Sequence, residues 1–273
     1  MRHAVITSAA IGAALVLTLA PRVAAAQHCH IPDVEPGATA EDAPRWWLQG
    51  TSSIIAGATT FMEESRHYEG LRLAVDAGTG RYTARVALPM YRIEGAGLGL
   101  GDATLAASAD VIPGRGRVRG GIGVSIAAPT GDADDGRGMG HVMVAGGPWL
   151  RLGGERFDAT LAVTFASALG DNSEHVLHQH AADGWPLVDP MNPREVMGVA
   201  RGVAALVPGQ LNAGAQLVFA TPVVLDGEQR LVGAVLVERP FGRYGLHVLV
   251  ETPFIGDPFV ARALFELSYR FPT

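Results

Sequence analysis

The stretch Arg81-Tyr82-Thr83-Ala84-Arg85-Val86-Ala87-Leu88-Pro89-Met90 decides the fold. Tyr82, Ala84, Val86, Leu88 and Met90 fall on one side of an extended chain, and Arg81, Thr83 and Arg85 on the other. Alternation with period two marks a strand lying between two unlike environments. Gly78-Thr79-Gly80 stands just before it, with the glycines that tight hairpin turns need. Before that turn, Leu71, Leu73 and Val75 alternate with Arg72 and Asp76. A hairpin of two long, two-faced strands is therefore written into residues 68–91.

The same pattern recurs in both directions. Val118, Ile122, Val124 and Ile126 oppose Arg117, Arg119 and Ser125, and Phe265, Leu267, Tyr269 and Phe271 oppose Glu266, Ser268 and Arg270. Twelve strands are expected: 46–56, 68–77, 81–91, 102–112, 116–127, 140–152, 156–168, 195–206, 210–219, 229–238, 243–252 and 260–271. Soluble strands average ~5–6 residues, whereas a tilted strand needs ~9–11 to cross a bilayer. The expected strands match the second length.

The connectors sharpen the reading. Gly78-Thr79-Gly80, Pro113-Gly114-Arg115, Gly153-Gly154-Glu155, Val207-Pro208-Gly209 and Arg239-Pro240-Phe241-Gly242 are short turns. Between them lie longer segments at 57–67, 92–101, 128–139, 169–194, 220–228 and 253–259. Alternation of short and long connectors is the habit of a transmembrane barrel, with periplasmic turns below and longer loops outside. The expected fold is all-β, a transmembrane antiparallel up-and-down β-barrel of twelve strands. Closure also removes the open edges that lipid forbids. Trp46, Trp47, Tyr68, Tyr82, Tyr91, Trp149, Phe157, Phe219, Tyr244, Phe254 and Phe259 lie near expected strand ends, where aromatic girdles belong. A soluble barrel or sandwich is the alternative.

Composition agrees. Charged residues make up 18% of the 273, hydrophobic residues 48%, and every one of the 21 basic residues is arginine. A net charge of −6 argues against a nucleic-acid partner. One cysteine excludes an internal disulfide framework. Met1-Arg2-His3, an apolar run from Ala4 to Ala20, and small residues at Ala24 and Ala26 read as a secretory signal over 1–26. Its removal takes away Arg2 and Arg22 and lowers the formal charge to −8. Residues 27–45 then form a polar, Pro-rich periplasmic segment, and 46–273 the barrel. The expected location is the outer membrane of a Gram-negative bacterium, with membrane lipid and the barrel assembly machinery as partners. Phe271 resembles the terminal aromatic signal of that machinery's clients, although Pro272-Thr273 follow it.

Gly99-Leu100-Gly101-Asp102 opens the fourth expected strand, and Ala128-Pro129-Thr130-Gly131-Asp132 closes the fifth. This pair resembles the outer-membrane transporter family assigned to the MetA pathway of phenol degradation. The resemblance spans Tyr68 to Leu152 well and the rest by strand pattern. It implies a barrel that passes small, often aromatic or hydrophobic, molecules.

With the apolar face in lipid, Arg72, Asp76, Arg81, Arg85, Asp110, Arg117, Arg119 and Arg151 point inward. Arginine on the lipid face at mid-depth would cost ~2–4 kcal/mol. The five arginines Arg72, Arg81, Arg85, Arg117 and Arg119 exceed Asp76 and Asp110, the acids placed beside them. Two readings stay open: an anion-attracting constriction, or an arginine–carboxylate network that fills the lumen.

Glu174, His175, His178 and His180 in the 169–194 connector could ligate a transition metal through imidazoles, or be solvated. His28-Cys29-His30 is a second soft-ligand cluster. Asp132-Ala133-Asp134-Asp135-Gly136 lacks the closing Glu of a calcium loop. The run Gly95 to Gly101 has no βαβ context for a dinucleotide. No Gly-x-Ser-x-Gly elbow is present. The chain is read as a non-enzyme without cofactor, a channel for small, aromatic or anionic molecules. The alternatives are a plugged structural or binding barrel, and a rim enzyme using Ser173 and His175.

A closed barrel predicts heat-modifiable migration: the unheated protein in detergent runs at a different apparent size from the boiled one. Recovery of the mature chain from the periplasm without detergent would falsify the membrane reading.

Overall fold

A computed structural model describes residues 46–272 apart from 62–63, 113–116, 155, 170–191, 224–228 and 257–258. The described strands are β1 (Trp47–Phe61), β2 (Glu64–Gly78), β3 (Tyr82–Ile93), β4 (Gly97–Leu100), β5 (Ala103–Ile112), β6 (Val118–Ala128), β7 (Val142–Gly153), β8 (Phe157–Leu169), β9 (Arg194–Val207), β10 (Leu211–Pro222), β11 (Arg230–Phe241), β12 (Tyr244–Ile255) and β13 (Phe259–Arg270). Each long strand pairs antiparallel with its sequence neighbours, and β1 pairs with both β2 and β13. The sheet thus closes on itself as a twelve-stranded barrel, with β4 as one extra strand hydrogen-bonded to β3.

Alternation does what the sequence demands. Along β3, Arg85, Ala87, Pro89 and Tyr91 are buried, while Tyr82, Val86 and Leu88 are exposed. Ile54, Leu73, Val75, Leu105, Ile122, Val124, Ile126, Leu161, Val163, Leu217, Val235, Val237, Phe265 and Leu267 likewise face outward. Such an apolar exterior on a closed barrel belongs in lipid, where every backbone polar group must pair within the protein.

All twelve expected strands are present. Three connectors differ from expectation. In the turn expected at Arg239 to Gly242, β11 runs on to Phe241 and pairs with β12, so the turn is Gly242-Arg243 alone. The segment 57–67 is mostly strand: β1 continues to Phe61 and β2 resumes at Glu64. Its Ala, Thr, Glu and Arg residues read as loop, yet polar strands are stable where a hairpin rises above the membrane. The 92–101 connector contains β4, because Gly95 (φ 84°) and Gly97 (φ 77°) let the chain double back onto β3.

The aromatic expectation is corrected for three residues. Tyr68, Tyr91 and Trp149 point into the barrel and are 3–4% exposed. Each occupies the inward parity of its strand and lies against a glycine. A Cβ on Gly57 would come within 2.7 Å of the Tyr68 hydroxyl, and one on Gly121 within 2.7 Å of the Trp149 ring. Tyr68 and Tyr91 meet edge to face at 6.1 Å. Outward aromatics do gather at the periplasmic end: Phe241 stacks on Tyr244 at 5.7 Å, and Tyr244, Tyr269 and Phe271 continue the contact.

Between Gly146 and Trp149 the β7–β8 pairing has a gap, since Pro148 has no N–H to donate. A Cβ at Gly147 would collide with the Val163 carbonyl oxygen. Gly147→Val should therefore cost at least the ~1–3 kcal/mol of overpacking, read as a lower urea midpoint of the folded barrel in detergent micelles.

Candidate functional site

The candidate site is the lumen wall. Residues paired across successive strands form rows that wind around the inside of the barrel, and each row has one chemical character. Val203, Gly214, Leu236, Leu249, Leu264, Ile55, Gly70 and Tyr91 are register partners in turn from β9 to β3. That row is apolar throughout. Two residues along on one side run Asn212, Glu238, His247, Glu266, Ser53 and Arg72. Two residues along on the other run Arg201, Gln216, Ala234, Glu251 and Arg262. An apolar band thus lies between two polar ones.

The polar rows are ion-paired. Arg72 meets Glu266 at 3.3 Å, Arg85 meets Asp76 at 3.4 Å, Arg151 meets Asp158 at 2.7 Å and Arg262 meets Glu251 at 2.6 Å. Arg119 pairs with Asp110, Arg201 with Glu238 and Arg230 with Glu195. Ser53 donates to the same Glu266 oxygen at 2.9 Å. Glu195 also accepts the Asn192 backbone N–H at 3.1 Å and its side-chain amide at 2.8 Å. Burial without such partners would be prohibitive for these charges.

These contacts correct the expected excess of arginine. Arg72, Arg85 and Arg119 do face the lumen, as do Asp76 and Asp110, but each of these arginines meets a carboxylate. The acid not foreseen is Glu266. Closure places β13 one strand away from β2, so Arg72 reaches across Ser53 to a residue 194 positions further on. Arg81 and Arg117 precede β3 and β6 and are exposed beside the turns, so they line the rim and not a constriction. Arg270, at the same end, holds its guanidinium over the Trp47 ring at 5.7 Å.

The two motifs behind the family resemblance come together. Asp102 accepts the N–H of Gly131 at 3.0 Å and that of Met139 at 2.8 Å. Thr130 donates to the Gly101 carbonyl at 2.8 Å and accepts from the Ala103 N–H at 2.8 Å. Arg137 pairs with Asp135 and donates to the Ala96 carbonyl at 2.7 Å. Ala96 in turn packs on the apolar cluster that holds Ile55, Tyr68, Tyr91 and Ile93. The motifs are a latch that fixes the 129–141 loop over the β3–β4 turn at the outer mouth.

Asp132 is spent on this loop, capping the N–H groups of Asp134 at 3.0 Å and Asp135 at 3.3 Å. His175, His178 and His180, with Glu174 and Ser173, lie outside the described residues, as do residues 1–45 with His28-Cys29-His30. Among the described residues no cluster of three His, Cys, Asp or Glu side chains is placed to hold a metal. The lumen carboxylates Glu195, Glu238, Glu251 and Glu266 were not singled out in the sequence, although Glu266 stands on an inward parity.

No known family's sequence pattern matches the chain, and no curated protein matches it. The resemblance to the MetA-pathway family therefore rests on its motifs. Solved structures do match. The COG4313 outer-membrane channel from Pseudomonas putida F1 superposes with a TM-score of 0.65 at 14% identity, over 89% of this chain and 100% of that one. The NanC porin superposes with a TM-score of 0.53 at 7% identity, over 81% of this chain and 100% of the porin. The fold is that of outer-membrane barrels, and the apolar exterior places this chain in that membrane.

Removing one member of a buried pair leaves the other charge uncompensated, at ~3–5 kcal/mol. Arg230→Met should lower the stability of the barrel by about that much, while Glu195→Leu combined with Arg230→Met recovers most of the loss. Urea titration followed by tryptophan fluorescence measures both. Equal loss in the single and double variants would show that the pair is not what matters there.

Proposed function

We propose that the protein is an outer-membrane channel for small amphipathic molecules, aromatic ones among them. The carrying observation is the apolar row from Val203 to Tyr91 set between two ion-paired rows. A solute with an apolar body and a polar edge can lie along such a wall, whereas a bare ion finds each of the paired arginines already engaged. Selectivity among ions follows the field at a constriction and not the total charge. Neutralised pairs give a weak field there, and the exposed Arg81 and Arg117 act only at the periplasmic rim.

The fold shared with the COG4313 channel and the NanC porin supports a passage role. The family resemblance supports aromatic solutes. The inward groups Arg72, Arg85, Arg119, Asp76 and Asp110 would then contact solute as paired dipoles, not as a net positive patch. The rival reading is a plugged barrel with a structural or binding role.

Liposome swelling separates these. The proposal expects swelling with phenol and small aromatic alcohols to exceed swelling with sugars of equal size. In planar bilayers under a salt gradient it expects discrete steps with a reversal potential close to zero. Absence of steps supports the plugged barrel. Strong anion preference, reduced by Arg85→Ala with Arg117→Ala, would restore the unpaired-arginine reading.

A further inference from the structure

One charge stands on the lipid side of β11. The outward positions Val235, Val237, Arg239 and Phe241 are all exposed, and they alternate with the lumen-side Ala234, Leu236 and Glu238. Because β11 runs on to Phe241, Arg239 belongs to the barrel exterior and not to a turn. Among the described residues of the periplasmic half, Arg239 is the one charge on an outward strand position. At the opposite end the outward Glu69 and Arg92 are register partners and pair with each other at 3.0 Å.

Register places Arg239 against its surroundings. Val237, Val248 and Phe265 are partners across β11, β12 and β13 and form an apolar row. The next outward row toward the periplasm is Arg239, Leu246 and Leu267. The row after that is Phe241, Tyr244 and Tyr269, whose rings follow one another at 5.7 and 5.0 Å, with Phe271 at 5.1 Å from Tyr269. Aromatic rings gather at the headgroup level of a membrane. Arg239 therefore stands one row, about 7 Å along the strand, on the membrane side of that belt. No described carboxylate pairs with it, and its row neighbours are leucines. Arginine on a lipid face is tolerable near the interface, where its long stem can carry the guanidinium to headgroup depth. The counter-charge at that depth is a phosphate, which a guanidinium holds through two parallel bonds.

We propose that Arg239 and the Phe241–Tyr244–Tyr269 belt form a binding site for an anionic glycerophospholipid of the periplasmic leaflet, with its phosphate on Arg239 and its upper acyl chains along Leu246 and Leu267. The leaflet follows from the end of the barrel concerned, since the short β11–β12 turn begins just past Phe241. Arg243 in that turn is exposed and adds a second positive charge on the water side. An anionic headgroup is favoured over a zwitterionic one, because the ammonium group of phosphatidylethanolamine competes for its own phosphate. The site lies outside the lumen and does not depend on whether the barrel conducts.

The full-length protein is equilibrated in detergent micelles holding equal amounts of phosphatidylglycerol and phosphatidylethanolamine, and the lipid retained after purification is counted by native mass spectrometry. Preferential retention of phosphatidylglycerol is the expected result. Arg239→Gln should lower that preference about fivefold, the worth of one basic residue at an anionic lipid surface. Phe241→Ala should lower the retention of both lipids. Arg81→Gln, beside another periplasmic turn but on the lumen parity, should leave the preference unchanged. Heat-modifiable migration confirms that each variant is folded, and where Arg239→Gln does not fold, Arg239→Lys decides, since it keeps the charge without the fork and should give an intermediate preference. Excess inorganic phosphate should not displace the lipid. Equal retention of the two lipids by the wild type overturns the proposal, because only unselective annular lipid is then present. An equal drop in Arg239→Gln and Arg81→Gln overturns it in favour of a diffuse field around the rim, and displacement by inorganic phosphate in favour of a plain anion patch.

Discussion

The structure depends on the β1–β13 pairing. Twelve strands with apolar exteriors can sit in lipid only if no backbone donor or acceptor is left open at an edge. Pairing from Gln49 with Arg270 to Thr59 with Phe259 joins the two ends of the sheet and removes that edge. Strand number, tilt and lumen width then follow together, because closure with a given register leaves little freedom in any of them.

Closure also decides the electrostatics. In an open sheet that ended at β1, Arg72 would have no Glu266 to meet. In the closed barrel β13 lies on the other side of β1, and Glu266 meets Arg72 across Ser53. Low dielectric makes such matching nearly obligatory for charges that are almost fully buried. The ion pairs in turn fix which faces can be apolar, and the Leu236–Leu249–Leu264–Ile55 row occupies the space between them. The lumen chemistry is therefore a consequence of register as much as of composition.

The outer mouth shows the same economy on a smaller scale. Asp102 serves two backbone donors of another loop, and Gly131 and Gly138 are needed because a Cβ at either would strike the latch. The short motifs that carry the family resemblance are thus explained by packing: they hold a loop in place and need not touch solute. Arg137, reaching from that loop to the Ala96 carbonyl, links the latch to the apolar cluster of the lumen.

Much was determined by the sequence alone. Alternation at Arg81–Met90 and its repeats gave each strand and the face it turns to lipid, since side-chain parity in a strand is local and needs no knowledge of partners. Gly and Pro punctuation placed the tight turns for the same reason. Parity also sent Arg72, Arg85 and Arg119 inward. What the sequence could not supply was anything that depends on register between strands distant in the chain. Glu266 opposite Arg72, Glu238 opposite Arg201 and Glu195 beside Arg230 are pairs across an intervening strand, and a shift of two residues would dissolve each while leaving every parity unchanged. Tyr68, Tyr91 and Trp149 share the inward parity of Arg72, Arg85 and Arg151, but that Gly57, Gly70 and Gly121 on neighbouring strands leave room for their rings is a fact about pairs of positions. Only the tertiary structure, through the register imposed by closure, set these rows side by side.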